Sequence, residues 1–220
     1  MATVYDIADY LITLCSSKDQ SDVITHLKLQ KLIYYSQGLS LNVLERPLFN
    51  NHIEAWTHGP VCPDIYQAYK KSKDNIITPN FSLDEISSKF THVELNVLNA
   101  IDIYFCGFSA SKLCELSHQD KACRHIYNLN LLYPKIPLNL IKESCKTRIL
   151  KLSNLTIDIE FEDGLYIVSI PNTPVAFGES KIKETAIKEA LETSFVYITY
   201  LIETGQFTSD CLHKSNELIN

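Results

Sequence analysis

LTIDIEFEDGLYIVSI, Leu155 to Ile170, is the stretch that decides the fold class. Leu155, Ile157, Ile159 and Phe161 alternate with Thr156, Asp158, Glu160 and Glu162, the period of two that marks a half-buried strand. Asp163-Gly164 supplies a hairpin turn, LYIVSI reads as a second and more apolar strand, and PVAFGE as a third after the Asn172-Thr173-Pro174 turn. From Lys183 to Thr204 the period becomes helical, with Ile187, Ala190, Leu191, Ser194, Ile198 and Leu201 on one face. A three-stranded sheet needs one face covered, so these strands and this helix require each other.

Upstream of this segment the chain reads as helices. Val4, Ile7, Ala8, Leu11, Ile12 and Cys15 recur at three and four, with Thr3 placed to cap them. After the polar turn SSKDQSD a second helix begins near Thr25, and Gly38 inside it implies a close helix contact, since glycine there otherwise costs about 1 kcal/mol relative to alanine. ERPLFNNHIEAW reads as an extended excursion or short hairpin, and Pro63 starts a helix over Asp64 to Lys73. Ser82 opens a capping box, His92 to Phe108 is a strong helix ended by Gly107, Ser109 or Ser111 caps a shorter one to about His118, and Ile136 to Leu150 is the last. The expected class is α+β. A mostly α-helical domain over 1–150 is followed, over 151–220, by a small three-stranded antiparallel sheet covered by one helix and a C-terminal tail.

Composition narrows the function classes. No run approaches the roughly 18 apolar residues of a membrane span, and MATVYDIADY carries acid where a signal peptide would carry base, so a cytoplasmic protein is expected. Seven scattered cysteines lack the regular spacing of a secreted disulfide framework, and reduced thiols are expected. From Ile149 onward there are five Lys and no Arg against eleven acidic residues, a net charge of −6, while the remainder holds 15 of each sign. That asymmetry disfavours nucleic acid as a ligand of the last third and suits either a basic partner or a solvated acidic face.

The residues that point to binding lie in LKLQKLIYYSQG, Leu27 to Gly38, and EAWTHGPVCPDIYQAY, Glu54 to Tyr69. Gln30, Lys31, Tyr34 and Tyr35 bring an amide, a cation and two phenols onto little more than one helical turn, either as a recognition surface or as a core with hydroxyls at its rim. Trp56, His58 and Tyr66 join them as candidate partner-binding residues, with Trp56 also readable as core and His58-Gly59-Pro60 as a rigid turn. Asp158, Glu160 and Glu162 form a second candidate surface for a basic partner. Enzymatic readings are weaker. His58 and Cys62 flank a Gly-Pro turn without a third orienting residue, and Cys114, His118, Cys123 and His125 lack the usual zinc spacing. No catalytic residue, metal or cofactor is expected.

LKLQKLIYYSQG, EAWTHGPV and PDIYQAYKK in that order, with the later GFSASKLCELSHQDKACRHIYN, resemble the Panacea antitoxin domain, the SocA-like and phage GepA-like family, over about residues 4–150. One departure is Cys123, where the family usually places Trp. DGLYIVSIPNTPVAFGES followed by KETAIKEALE is similar to the HicB-like antitoxin domain over about residues 153–204, although GQFTSDCLHKSNELIN shows neither the helix-turn-helix nor the ribbon-helix-helix pattern such antitoxins often append. The resemblance implies a type II antitoxin in a prophage-like setting that neutralises a cognate protein toxin, a neighbouring gene product, by direct binding. The SocA-like relatives imply an alternative, an adaptor delivering its bound toxin to a processive protease. A thiol- or zinc-dependent enzyme is the third.

Overall fold

A computed structural model describes residues 2–16, 24–72, 75–127, 132–171 and 173–213. The expected polar turn beyond Ser16, Asn172 of the second turn and the end of the tail lie outside the described residues. The chain divides into two compact units, Met1–Lys146 and Thr147–Asn220.

The first unit is built around one helix. α1 (Val4–Ser16) and α2 (His26–Val43) lead to a hairpin of β1 (Glu54–Trp56) and β2 (Gly59–Val61), followed by α3 (Pro63–Tyr69) and a short 3-10 turn. α4 (Leu83–Ser87), α5 (His92–Ile101), a π-helical turn over Asp102–Cys106, α6 (Ala110–Gln119) and α7 (Lys121–Tyr127) follow. Local chemistry sets these boundaries. Thr25 accepts from the Lys28 amide to start α2, Ser82 and Thr91 both make complete capping boxes, and Pro63 occupies the first turn of α3. The strong helix expected over His92 to Phe108 loses its α-helical period at Asp102 and ends on Gly107 through the π-helical turn.

α2 buries nearly its whole circumference, including Leu29, Leu32, Ile33, Tyr34, Tyr35 and Leu39. Tyr35 stacks on Phe105 with ring centroids 4.1 Å apart. Gly38 is the close contact expected of it: a Cβ there would lie 2.5 Å from the Cys145 Cβ of α8 (Leu138–Leu152). Cys15 and Cys106 are joined as a disulfide, which corrects the expectation of reduced thiols throughout. Their separation by 91 residues hides the pairing in sequence, because only the packing of α1 beside the π-helical turn brings them together.

The second unit holds the expected meander. β3 (Asp158–Glu162), β4 (Leu165–Ser169) and β5 (Phe177–Ser180) form an antiparallel sheet in that spatial order, and α9 (Lys183–Glu203) packs on β4 and β5. α10 (Asp210–His213) follows. Val168, Ile170, Ala176, Ala186 and Ala190 form the core. The small residues matter: a Cβ on Gly178 would meet the Ala186 carbonyl oxygen, so sheet and helix approach at backbone distance. Ile159 and Phe161, expected inward, are 39% and 63% exposed, because α9 lies over the other two strands.

The boundary expected at residue 150 falls in the last turn of α8. We propose that a protein ending at Leu150 remains an independently folded helical domain, expected to melt in one cooperative transition by circular dichroism. A molten or aggregated product would place the boundary elsewhere.

Candidate functional site

The polar residues of α2 point into the first unit and pin its loops. The Lys28 ammonium donates to the Cys106 carbonyl at 2.6 Å, and the Gln30 amide oxygen accepts from the Cys62 N–H at 2.8 Å. Lys31 donates to the Pro60 carbonyl at 3.0 Å. Tyr34 and Tyr35 donate to the same Asp120 carboxylate oxygen at 3.4 and 3.1 Å, while Gln37 accepts from the Leu48 amide and donates to the Phe49 carbonyl, both at 2.9 Å. Each bond satisfies a group that would otherwise be buried without a partner. Of the two readings open for Gln30, Lys31, Tyr34 and Tyr35, an exposed surface and a core, the structure has the second; they are buried, and their polar atoms fix the β1–β2 hairpin and the α6–α7 junction from beneath.

What α2 holds in place is a pocket of about 400 Å³ between that hairpin and the two helices, lined by Ala55, Trp56, Thr57, Gly59, His118, Cys123 and Arg124. Gly59 makes the close packing possible. Its φ of +91° suits glycine, and a Cβ there would lie 2.7 Å from the Ser117 hydroxyl and 3.0 Å from the Lys31 ammonium. The hairpin is also tied to α6 by the Cys114 thiol, which donates to the His58 carbonyl at 3.3 Å. His58 itself is exposed at the tip, so its backbone, rather than its ring, makes this contact across to α6.

Trp56 is half-buried between Tyr66 and Tyr133, with ring centroids 4.8 and 4.7 Å away, and its indole N–H donates to Glu54 at 2.9 Å. One part of its ring system packs on those tyrosines and another lines the pocket. His118 and Arg124 supply exposed polar and cationic groups on the opposite wall. Of the lining residues only Trp56 is among the candidate binding residues of the sequence; His118 and Arg124 are not, nor are Ala55, Thr57, Gly59 and Cys123. Arg124 lies on α7, a helix whose period went unread in the polar run HQDKACRHIY.

Burial sets the electrostatics behind the pocket. It draws the Lys31 ammonium down to about 8, the neighbouring Cys114 and Cys123 thiols acting in the opposite direction. Burial pushes the Cys123 thiol up to about 12, reinforced by Asp120, so it lines the pocket as a neutral thiol. Tyr34 is likewise held protonated by burial and by Asp120, as a donor to that carboxylate must be.

The alternative chemical readings find less support. Cys62 is buried at the start of α3 with its thiol raised by desolvation, whereas His58 is exposed at the hairpin tip. Cys114 and His118 approach to 4.0 Å, but the group of potential metal ligands found among the described residues is Cys15, Asp102 and Cys106, two of which form the disulfide. Asp158, Glu160 and Glu162 are exposed on β3 in the second unit and form a separate surface.

The pocket thus brings an indole, an imidazole and a guanidinium around one opening. Residues 29–123, from within α2 to the first turn of α7, match the family model described as Antitoxin SocA-like, Panacea domain. A 46-residue stretch is 46% identical to Antitoxin SocA of Caulobacter vibrioides (strain NA1000 / CB15N). It covers 21% of this chain and 24% of that protein, so the match spans about a quarter of the relative's length. No solved structure matches the chain significantly. The family match ends at residue 123 and does not extend to the HicB-like resemblance of the second unit. No helix among the described residues is long and apolar enough to cross a membrane.

Proposed function

We propose that this protein is an antitoxin that neutralises a cognate protein toxin by binding it directly, and that the hairpin pocket is where the first unit grips its partner. The observation that carries this reading is a coincidence of position: every residue lining the pocket except Arg124 falls within the matched antitoxin domain. Trp and Arg are enriched in residues that dominate binding energy, and here they face one opening above a buried, hydrogen-bonded base. The role is one of binding without catalysis.

Exposed rim residues test this more cleanly than the buried ones. Replacing His118 with alanine and Arg124 with glutamate together is expected to weaken binding of the toxin encoded by the adjacent reading frame by more than about 30-fold, the equivalent of roughly 2 kcal/mol, and to abolish rescue of growth. Both side chains are exposed, so the melting temperature should stay within a few degrees of the parent. Undiminished affinity in a folded double variant would remove the pocket from the interface. Toxin levels followed after synthesis is stopped distinguish storage from delivery: a stable, inactive toxin supports neutralisation by binding, whereas its accelerated loss supports the protease adaptor.

A further inference from the structure

β3 is an outer strand with one side paired to β4, and among the described residues no strand pairs with its other side. All five residues, Asp158 to Glu162, are exposed. Residues directly opposite one another in an antiparallel pair point to the same face, so the register Ile159↔Val168 and Phe161↔Tyr166 puts both apolar side chains on the face that α9 partly covers. Asp158, Glu160 and Glu162 consequently line the opposite face, about 6.6 to 6.8 Å apart along the strand.

An open strand edge is a template for another strand, and proteins usually blunt it with lysine, proline, a bulge or a covering element. None of the first three is present in DIEFE, which pairs with β4 without a bulge at five consecutive positions. Its charge instead selects against one particular occupant. An antiparallel second copy centred on Glu160 would set Glu160 against Glu160 and Asp158 against Glu162, with like charges directly opposite. A shift by one residue would place one copy's carboxylates beside the other's Ile159 and Phe161, and parallel pairing again brings acid beside acid. A second copy of this chain is disfavoured in each of these arrangements.

The geometry points to an extended segment of a partner protein, with lysine or arginine alternating with apolar residues, that joins the sheet as a fourth strand along β3. Its backbone would take up the free N–H and C=O groups, its cations would face Asp158, Glu160 and Glu162, and its apolar side chains would extend over Ile159 and Phe161 beside α9. This surface lies in the second unit and stands independently of the pocket.

The test uses the full chain and three heptapeptides: one alternating Lys and Val, one with the same composition in two blocks, and the alternating sequence N-methylated along one edge. The alternating peptide is expected to bind at least about tenfold more tightly than either of the others and to slow hydrogen exchange at alternate amides of residues 158–162. Glu160→Lys should weaken it by a similar factor, with the melting temperature unchanged. Equal affinity for the block peptide would reduce the surface to a general attractor of positive charge and overturn the proposal. So would the absence of binding, or a self-associating protein whose β3 amides are protected without any peptide.

Discussion

Replacing Gly178 with alanine is expected to disrupt the second unit, by about 3 kcal/mol or more, at the upper end of what overpacking does elsewhere. The added methyl would overlap the Ala186 carbonyl oxygen and would sit 2.8 Å from the Ala190 nitrogen and 3.0 Å from the Ala186 carbonyl carbon. All three are backbone atoms of α9, so no rotamer change relieves the clash and the whole helix has to lift from the sheet. Lifting it uncovers Val168, Ala186 and Ala190, the centre of that unit's core. Two other glycines calibrate the result. Gly164 has open space around it but φ at +81°, so alanine there should cost only about 1 kcal/mol; Gly107 has open space and φ at −68°, and alanine should be neutral or slightly stabilising. Chemical denaturation monitored by circular dichroism, with hydrogen exchange to assign the effect to β4, β5 and α9, checks the order. Comparable stability for the Gly178 and Gly107 variants would contradict the close helix–sheet approach.

Much of the architecture was legible because short-range chemistry encodes it. Thr25, Ser82, Ser109, Pro63 and Gly107 each mark a boundary through a bond or backbone restriction spanning no more than four residues, and each does so in the structure. Gly38 was legible for a related reason: a glycine inside a helix requires an explanation, and close packing supplied it. The candidate site was harder to read. Gln30, Lys31, Tyr34 and Tyr35 look like a recognition surface because nothing local shows that their partners are Cys62, Pro60 and Asp120, 29 to 86 residues further along. Only the fold makes those groups neighbours, and it makes the same side chains supports where the sequence suggests contacts. β3 presents the converse problem, since strict alternation indicates a face to be covered without revealing that α9 is placed over the neighbouring strands.

Lys31 gives that reassignment a measurable consequence. Its ammonium is fully buried, bonded to one carbonyl, and holds its proton only up to about 8, whereas an unfolded chain holds it to 10.5. Below about 8 the group is protonated in both states and the folded protein bears the full penalty of the buried charge. Between about 8 and 10.5 the unfolded chain binds more protons than the folded one, so stability attributable to Lys31 must rise with pH, by about 3 kcal/mol across the window. The Cys123 thiol, pushed up to about 12, acts the other way, because the unfolded chain loses that proton first, near 9. Lys31→Met separates the two: it keeps much of the side-chain volume, removes the charge and leaves Cys123 in place. At pH 7 the variant is expected to be as stable as the parent or more stable by about 1 to 3 kcal/mol, the loss of the Pro60 bond offsetting part of the gain. On raising the pH from 8 to 10.5, the parent should gain on the variant until any advantage at neutral pH has gone. Denaturant titrations of both proteins across that range measure the difference directly. Parallel stability curves would mean that the Lys31 ammonium is solvated in solution, restoring it to the surface where its sequence neighbours suggested a partner would find it.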